Sequence, residues 1–242
     1  MSAAAGDGLG ALLARSGAPE ATAEGLSRYL DVLLTWPGNV TAIATRNEVV
    51  ETLLGDSFAL LDVEELRSRE GEPWLDLGAG AGVPGIPLAA VLPRSRVTLL
   101  EAASRKCAFL RAAVEAAGLQ DRCRVECARS ERFAASGAPG RDAFGVVLAR
   151  AVAPLPVLVE LAAPLLAQGG VLVASKTRRA LRDEGPPAAA AAGQCGMEPR
   201  PPQALPRSPL DDAVAAVFAK VAPTPDRLPR REGMAAKRPL GR

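Results

Sequence analysis

Apolar and polar positions along this chain follow two rhythms. Leu26, Leu30, Leu33 and Leu34 recur at helical spacing over 20–34, with Tyr29 alongside, and 49–61 repeats the pattern around Asp56 and Ser57. Trp36-Pro37-Gly38-Asn39 breaks the first of these helices. From position 74 short apolar runs take over, and strands are expected at 74–77, 97–100, 124–128, 144–149 and 171–174. Helices are expected between them at 85–91, 104–117 and 154–167, with Ser104 as an N-cap and Gly118 as a stop. Strand and helix alternate every ~25 residues, the spacing of a parallel sheet with helices on both faces. An apolar run over 212–221 reads as a last, short strand. Residues 178–183 read as a helix followed by a loose, proline-rich connection to 209, and 1–18 as loosely ordered at its start. The resulting division is a helical cap over 1–70, a sheet domain over 71–222 and a basic tail over 223–242.

The chain is organised around Trp74-Leu75-Asp76-Leu77-Gly78-Ala79-Gly80-Ala81-Gly82-Val83-Pro84-Gly85, an apolar strand running through a glycine turn into a helix. Gly78, Gly80 and Gly82 permit positive φ and close approach of a ligand, and Pro84 suits a first helical turn. One strand and helix later, Glu101 ends the second strand, where a nucleotide-binding α/β fold places the carboxylate that accepts ribose hydroxyls. Gly80 to Gly85 fits G-x-G-x-x-G, a weak signal that a dinucleotide would also satisfy. Read from Asp76 the pattern is Asp-x-Gly-x-Gly-x-Gly, which resembles the first motif of class I S-adenosylmethionine-dependent methyltransferases. Asp76 suits an ammonium better than a pyrophosphate. Open parallel sheets bind ligands beyond their strand C-termini, and Asp76, Glu101, Arg129, Arg150 and Lys176 all fall there.

Composition narrows the chemistry. Lys and Arg number 29 against 27 Asp and Glu, so the net charge of +2 gives no overall basic field, and nucleic-acid contacts must come from local clusters. The chain has no histidine, which removes Ser-His-Asp and Cys-His catalysis and imidazole acid–base chemistry. Cys107, Cys123, Cys127 and Cys195 match no common zinc spacing and read as free thiols in a reducing compartment. No secretion signal is apparent, since Asp7 and Gly8 interrupt the start. The longest apolar stretch, 151–174, contains Glu160 and three prolines and does not read as a membrane span.

The stretch from Leu75 to Leu88, with its Pro84-Gly85-Ile86-Pro87 run, resembles the signature of the RsmG (glucose-inhibited division protein B) family of bacterial 16S rRNA methyltransferases. Glu101-Ala102-Ala103-Ser104-Arg105-Lys106-Cys107-Ala108-Phe109-Leu110 continues the match. Arg129-Ser130-Glu131 and Ala149-Arg150-Ala151-Val152-Ala153 are similar to the family's two arginine motifs, and Lys176 to its lysine after strand five. Leu228-Pro229-Arg230-Arg231-Glu232-Gly233 and Lys237-Arg238-Pro239-Leu240 are similar to its basic C-terminus, and Asn39-Val40-Thr41-Ala42-Ile43 with Asp56-Ser57 to its N-terminal region. Leu53 and Thr177 depart from the family pattern, which has His and Gly there.

The resemblance implies a Rossmann-like, mostly parallel seven-stranded α/β sheet, with 212–221 as its antiparallel edge strand, and an N-terminal helical cap. It implies transfer of a methyl group from S-adenosylmethionine to N7 of guanosine 527 in the 530 loop of 16S rRNA. A diverged enzyme acting on another RNA site or a small molecule is the alternative, and a cofactor-binding or ribosome-associated protein without catalysis a third reading. Carried over, Asp76, Gly78, Ala79, Gly80, Gly82, Val83, Pro84, Glu101, Ser130, Glu131 and Arg150 would hold the cofactor. Arg129 and Arg150 would face the reacting groups, and Lys176, Arg230, Arg231 and Lys237 would hold RNA. The partner implied is 16S rRNA or the small ribosomal subunit. Neither a metal nor a membrane is expected, and the chain reads as a cytoplasmic monomer.

Overall fold

A computed structural model describes residues 8–19, 21–38 and 40–241. The expected loose start at 1–7, the first residue of the 20–34 helix, Asn39 of the N-terminal motif and Arg242 of the tail lie outside the described residues. Strands β1 (Pro73–Leu77), β2 (Arg96–Glu101), β3 (Cys123–Cys127), β4 (Phe144–Arg150), β5 (Leu166–Thr177), β6 (Met197–Pro199), β7 (Gln203–Ala204) and β8 (Ala213–Lys220) form one sheet in the order β3-β2-β1-β4-β5-β8-β6, with β7 also on β8. The first five are parallel, and β8 runs antiparallel to β5.

The β8 strand is therefore not at the edge, which corrects the placement expected for 212–221. It is inserted between β5 and an outer strand split into β6 and β7, both antiparallel to it. The segment expected to be a loose connection builds that outer strand. Helix α10 runs through Arg178–Gln194 with Pro186 and Pro187 inside it. Two prolines normally stop a helix, but Ala188, Ala191 and Ala192 are fully buried in the core beneath, which holds its second half in place. Likewise α1 (Leu9–Ser16) is ordered, because Leu9, Leu12 and Leu13 form a buried stripe and Gly17 caps it in the left-handed conformation. The expected helix to 167 ends at Ala162 as α9 (Leu155–Ala162), and β5 starts at Leu166 rather than at 171. The register jumps from Phe144 opposite Leu166 to Val146 opposite Val171, and this irregularity hides the strand's start from a period-2 reading.

The other helices are α2 (Thr22–Thr35), α3 (Arg46–Glu48), α4 (Gly55–Ala59), α5 (Glu64–Ser68), α6 (Gly85–Val91), α7 (Ser104–Ala117), α8 (Ser130–Phe133) and α11 (Met234–Lys237), with a π-helical segment Val49–Leu54 joining α3 to α4. Ser104 is the first residue of α7 and Ala103 its cap, so the expected Ser cap is displaced by one. Pro84 is the cap of α6, outside its first turn.

Alternation along the strands sorts side chains onto two faces. Trp74, Val97, Leu99, Val146, Leu148 and Val217 pack with α1, α2, α4, α6 and α7 in one continuous cluster. Leu75, Leu77, Leu100, Val147, Ala149 and Phe218 pack with α9 and α10 on the other face. The close approach of α2 to α7 needs Gly25, where a Cβ would lie 2.6 Å from the Ala117 carbonyl oxygen. Buried Tyr29 of α2 donates its hydroxyl to the Ala81 carbonyl at 2.8 Å, tying the N-terminal helices to the glycine turn. Among the described residues no helix is long and apolar enough to cross a membrane.

Cys107 and Cys127 form a disulfide, with their Cα atoms 5.9 Å apart, which corrects the reading of four free thiols. Their separation of 20 residues carried no signal. Folding brings the first turn of α7 beside the end of β3. Cys123 and Cys195 are free and buried.

Tyr29→Phe is expected to cost about 1 kcal/mol, one net hydrogen bond, and to lower the urea midpoint without changing the slope of the unfolding curve.

Candidate active site

The glycine turn leaves β1 with Gly78, Gly80 and Gly82 at φ of 71°, 53° and 83°. Gly78 and Ala79 donate to the Leu100 carbonyl at 2.8 and 3.0 Å, Gly82 donates to Ala79, and Ile86 to Gly82. Gly80 donates to Glu101 Oε2 at 3.1 Å, and Gly85 to Asp76 Oδ2 at 2.8 Å. A side chain at Gly85 would stand 2.7 Å from that carboxylate oxygen. Six amides of the turn and helix start thus have acceptors inside the protein. Burial pushes the Asp76 carboxyl up to about 7, against the lowering effects of the Gly85 amide and Arg150. A pyrophosphate would find these donors already taken, with two carboxylates beside them, so the turn does not suit a dinucleotide. It suits a cationic ligand that needs hydroxyl acceptors.

A cleft of ≈ 360 Å³ opens beside the turn at the strand C-termini. Leu77, Leu100, Val157 and Leu161 provide apolar walls, and Glu101, Lys106, Arg129, Ser130 and Glu131 provide polar groups. Glu101 is oriented by two amides, Gly80 on Oε2 and Ala103 on Oε1 at 2.8 Å, and keeps lone pairs for ligand hydroxyls. The side chains of Arg129 and Lys106 have no hydrogen-bond or ion-pair partner among the described residues. The mouth is roofed by the loop after β4. Ala151 there has φ 53°, a strained conformation for a residue with a Cβ. Val152 is exposed and lies over the turn, 2.9 Å from where a Gly78 Cβ would be. Lys176 Nζ donates to the Ala153 carbonyl at 3.0 Å and to Glu184 Oε2 at 2.8 Å. The same Glu184 oxygen accepts the Leu155 amide at 2.6 Å, so the loop is clamped.

Arg150 is absent from this cleft. Period-2 alternation turns it to the same face as Val146 and Leu148, towards the N-terminal helices. Its Nε donates to Asp56 Oδ2 at 2.7 Å, and Asp56, only 1% exposed, also accepts from Ser208 Oγ at 2.8 Å and Ser175 Oγ at 3.4 Å.

Of the residues singled out in the sequence, Gly78, Glu101, Arg129, Ser130 and Glu131 meet at the cleft. Ala79, Gly80, Gly82, Val83 and Pro84 form the adjoining turn, and Asp76 lies buried beneath it. Lys176 is occupied by the loop after β4. Arg230 forms a two-pronged pair with buried Glu160, both bonds 2.6 Å, and also donates to the Arg238 carbonyl. Arg231 and Lys237 are exposed and unpaired among the described residues. Sequence reasoning did not single out Lys106, Val152, Ala235 and Ala236 as lining residues. Lys106 stood inside the quoted α7 stretch and Val152 inside the second arginine motif, each without an assigned role, whereas nothing marked the two alanines. Among the described residues no group of three or more His, Cys, Asp or Glu is placed to hold a metal.

Comparison with known proteins agrees with this geometry. The GidB family model, rRNA small subunit methyltransferase G, matches residues 22–192. The ribosomal RNA small subunit methyltransferase G of Chloroflexus aggregans is 39% identical over 217 residues, 88% of each chain. That of Deinococcus radiodurans is 39% identical over 206 residues, 84% of this chain and 78% of the other. A solved mutant of MtNAS in complex with S-adenosylmethionine superposes with a TM-score of 0.56 at 16% identity, covering 84% of this chain and 74% of that one. At that identity the likeness concerns the fold.

Asp56→Ala leaves the largely buried Arg150 guanidinium unpaired and is expected to destabilise the fold by about 3 kcal/mol in urea titrations. Asp76 carries a second expectation. From about pH 4 to about 7 the folded chain keeps a proton that the unfolded chain has released, so stability falls as pH rises through that window. Asp76→Asn retains an acceptor for the Gly85 amide and is expected to flatten this slope when unfolding is followed across the same pH range.

Proposed function

This chain belongs to the rRNA small subunit methyltransferase G (GidB) family of S-adenosylmethionine-dependent enzymes, and we propose that it methylates N7 of guanosine 527 in the 530 loop of 16S ribosomal RNA. The observation that supports this reading is the cleft at the strand ends. Glu101, Arg129, Ser130 and Glu131 converge there beside a turn whose amides are internally satisfied.

Bound S-adenosylmethionine supplies a methyl group on a positively charged sulfur, open to displacement by a lone pair. Guanine N7 brings a lone pair and no proton, so no residue need act as a general base, in keeping with a chain that has no histidine. The work left to the protein is orientation. Glu101, fixed by Gly80 and Ala103, accepts hydrogen bonds from the ribose hydroxyls. Leu77, Leu100, Val157 and Leu161 exclude water from the apolar part of the ligand. Arg129, exposed and uncommitted at the cleft, is placed to stack on the incoming base or grip its phosphate. Arg150 acts from behind. Asp56 holds it, and it steadies the start of the loop that carries Val152. Lys176 clamps the end of that loop. A target inside a structured RNA loop must be splayed out to reach this cleft. Arg231 and Lys237, on the exposed tail, hold RNA phosphates.

The test is incubation with labelled S-adenosylmethionine and small ribosomal subunits from a strain lacking this activity, followed by mapping of the product. A single N7-methylguanosine at position 527 is expected. Cofactor binding without transfer to any ribosomal RNA overturns the reading. Arg129→Ala is expected to lower kcat/KM by ~100-fold while changing cofactor affinity only a few-fold.

A further inference from the structure

We propose that residues 231–238 form a strap belonging to two sites at once, so that RNA gripping its outer face tightens the hold on the cofactor beneath its inner face. This rests on the rRNA reading above.

The inner face is on the page. Gly233, Ala235 and Ala236 wall the cleft opposite the glycine turn, and Ala235 is buried. The outer face carries Arg231, Lys237 and Arg238, all exposed, with side chains that have no partner among the described residues. Glu232, the acid among them, is already paired with Arg132 at 3.1 Å. The strap therefore shows uncompensated positive charge outward and small apolar groups inward.

Its attachment is graded. Up to Arg230 it is anchored firmly. Leu228 is buried, its carbonyl accepts from Arg141 at 2.9 Å, and Arg230 grips Glu160. Its far end is tied back as well, since the Arg238 carbonyl accepts from Arg230 at 2.6 Å, and between those two points, among the described residues, three ties hold the segment against the cleft. One is the Gly233 amide on Glu131 Oε1 at 2.8 Å, another the Arg132–Glu232 pair, and the third the burial of Ala235. That ion pair has side chains 73% and 45% exposed and contributes little. A four-residue helix such as α11 has no stability of its own. The loop after β4, across the mouth, is clamped by Lys176 and Glu184. Of the two covers over the cleft, the strap is the one that lifts at less cost when a ligand passes. Phosphates bridging Arg231, Lys237 and Arg238 would oppose that lifting. Linkage then requires the cofactor to tighten RNA binding by the same factor.

The experiment titrates labelled S-adenosylhomocysteine, which cannot react, into the full-length protein with and without saturating small ribosomal subunits. For the wild type we expect subunits to raise its affinity by roughly 5- to 50-fold and to slow its release. The variant R231Q/K237Q/R238Q should bind S-adenosylhomocysteine alone as the wild type does, since none of the three side chains lines the cleft, and should lose the enhancement. At subunit concentrations raised to saturate the variant, persistence of the full enhancement overturns the proposal. So does a wild type that methylates subunits while its S-adenosylhomocysteine affinity ignores them, and in that case the enzymatic reading still stands. A wild type that transfers no methyl group to ribosomal RNA sinks the enzymatic reading, and the strap with it.

Discussion

The carboxylate of Asp56 is the point on which the arrangement of this molecule turns. It sits fully buried on α4 and meets the ends of two neighbouring parallel strands, through Arg150 on β4 and Ser175 on β5, together with Ser208 from the connection before β8. Four stretches of chain far apart in sequence thus converge on two oxygen atoms. A buried ion pair adds little net stability over apolar packing, but it tolerates the loss of neither partner. Its contribution is positional. It sets the N-terminal helices against the strand ends where ligands of an open α/β sheet bind, and Tyr29 makes a second connection, to Ala81 of the glycine turn.

The glycine turn works on the same principle of spending backbone donors internally. Many nucleotide-binding folds leave amides at a helix start free for phosphate. Here Asp76, buried beneath the turn, caps Gly85 and Glu101 caps Gly80, so the cleft meets the Glu101 carboxylate where other folds present N–H groups. The same glycine pattern can therefore serve opposite charges, and the acid at the end of the first strand distinguishes them. Burial holds the Asp76 carboxyl near neutrality, a cost the fold accepts for a rigid turn.

The cleft is framed by two covers of different stiffness. One is the strained loop after β4, fixed from below by Lys176 and Glu184. The other is the tail, fixed at Arg230, tied back to it at Arg238 and held lightly between the two. Cations that look alike in the sequence thus separate by role. Lys176 and Arg230 are spent inside the protein, whereas Arg129, Arg231 and Lys237 remain available.

The alternation of apolar runs sufficed to find the parallel sheet, because side-chain periods of 2 and 3.6 are local properties of the backbone. The glycines at 78, 80 and 82 and the acids at 76 and 101 were equally legible, since each satisfies a requirement set by its neighbours in the chain. The continuation of α10 through Pro186 and Pro187 was not, because burial of Ala188, Ala191 and Ala192 outweighs a local penalty. The insertion of β8, the Cys107–Cys127 bond and the strap over the cleft were hidden for a related reason: each depends on segments that meet only after folding. The same holds for the two arginines. Sequence placed both Arg129 and Arg150 at strand ends, but the face a side chain takes, and the partner it finds there, is decided by packing. One is left open at the cleft and the other is closed on Asp56.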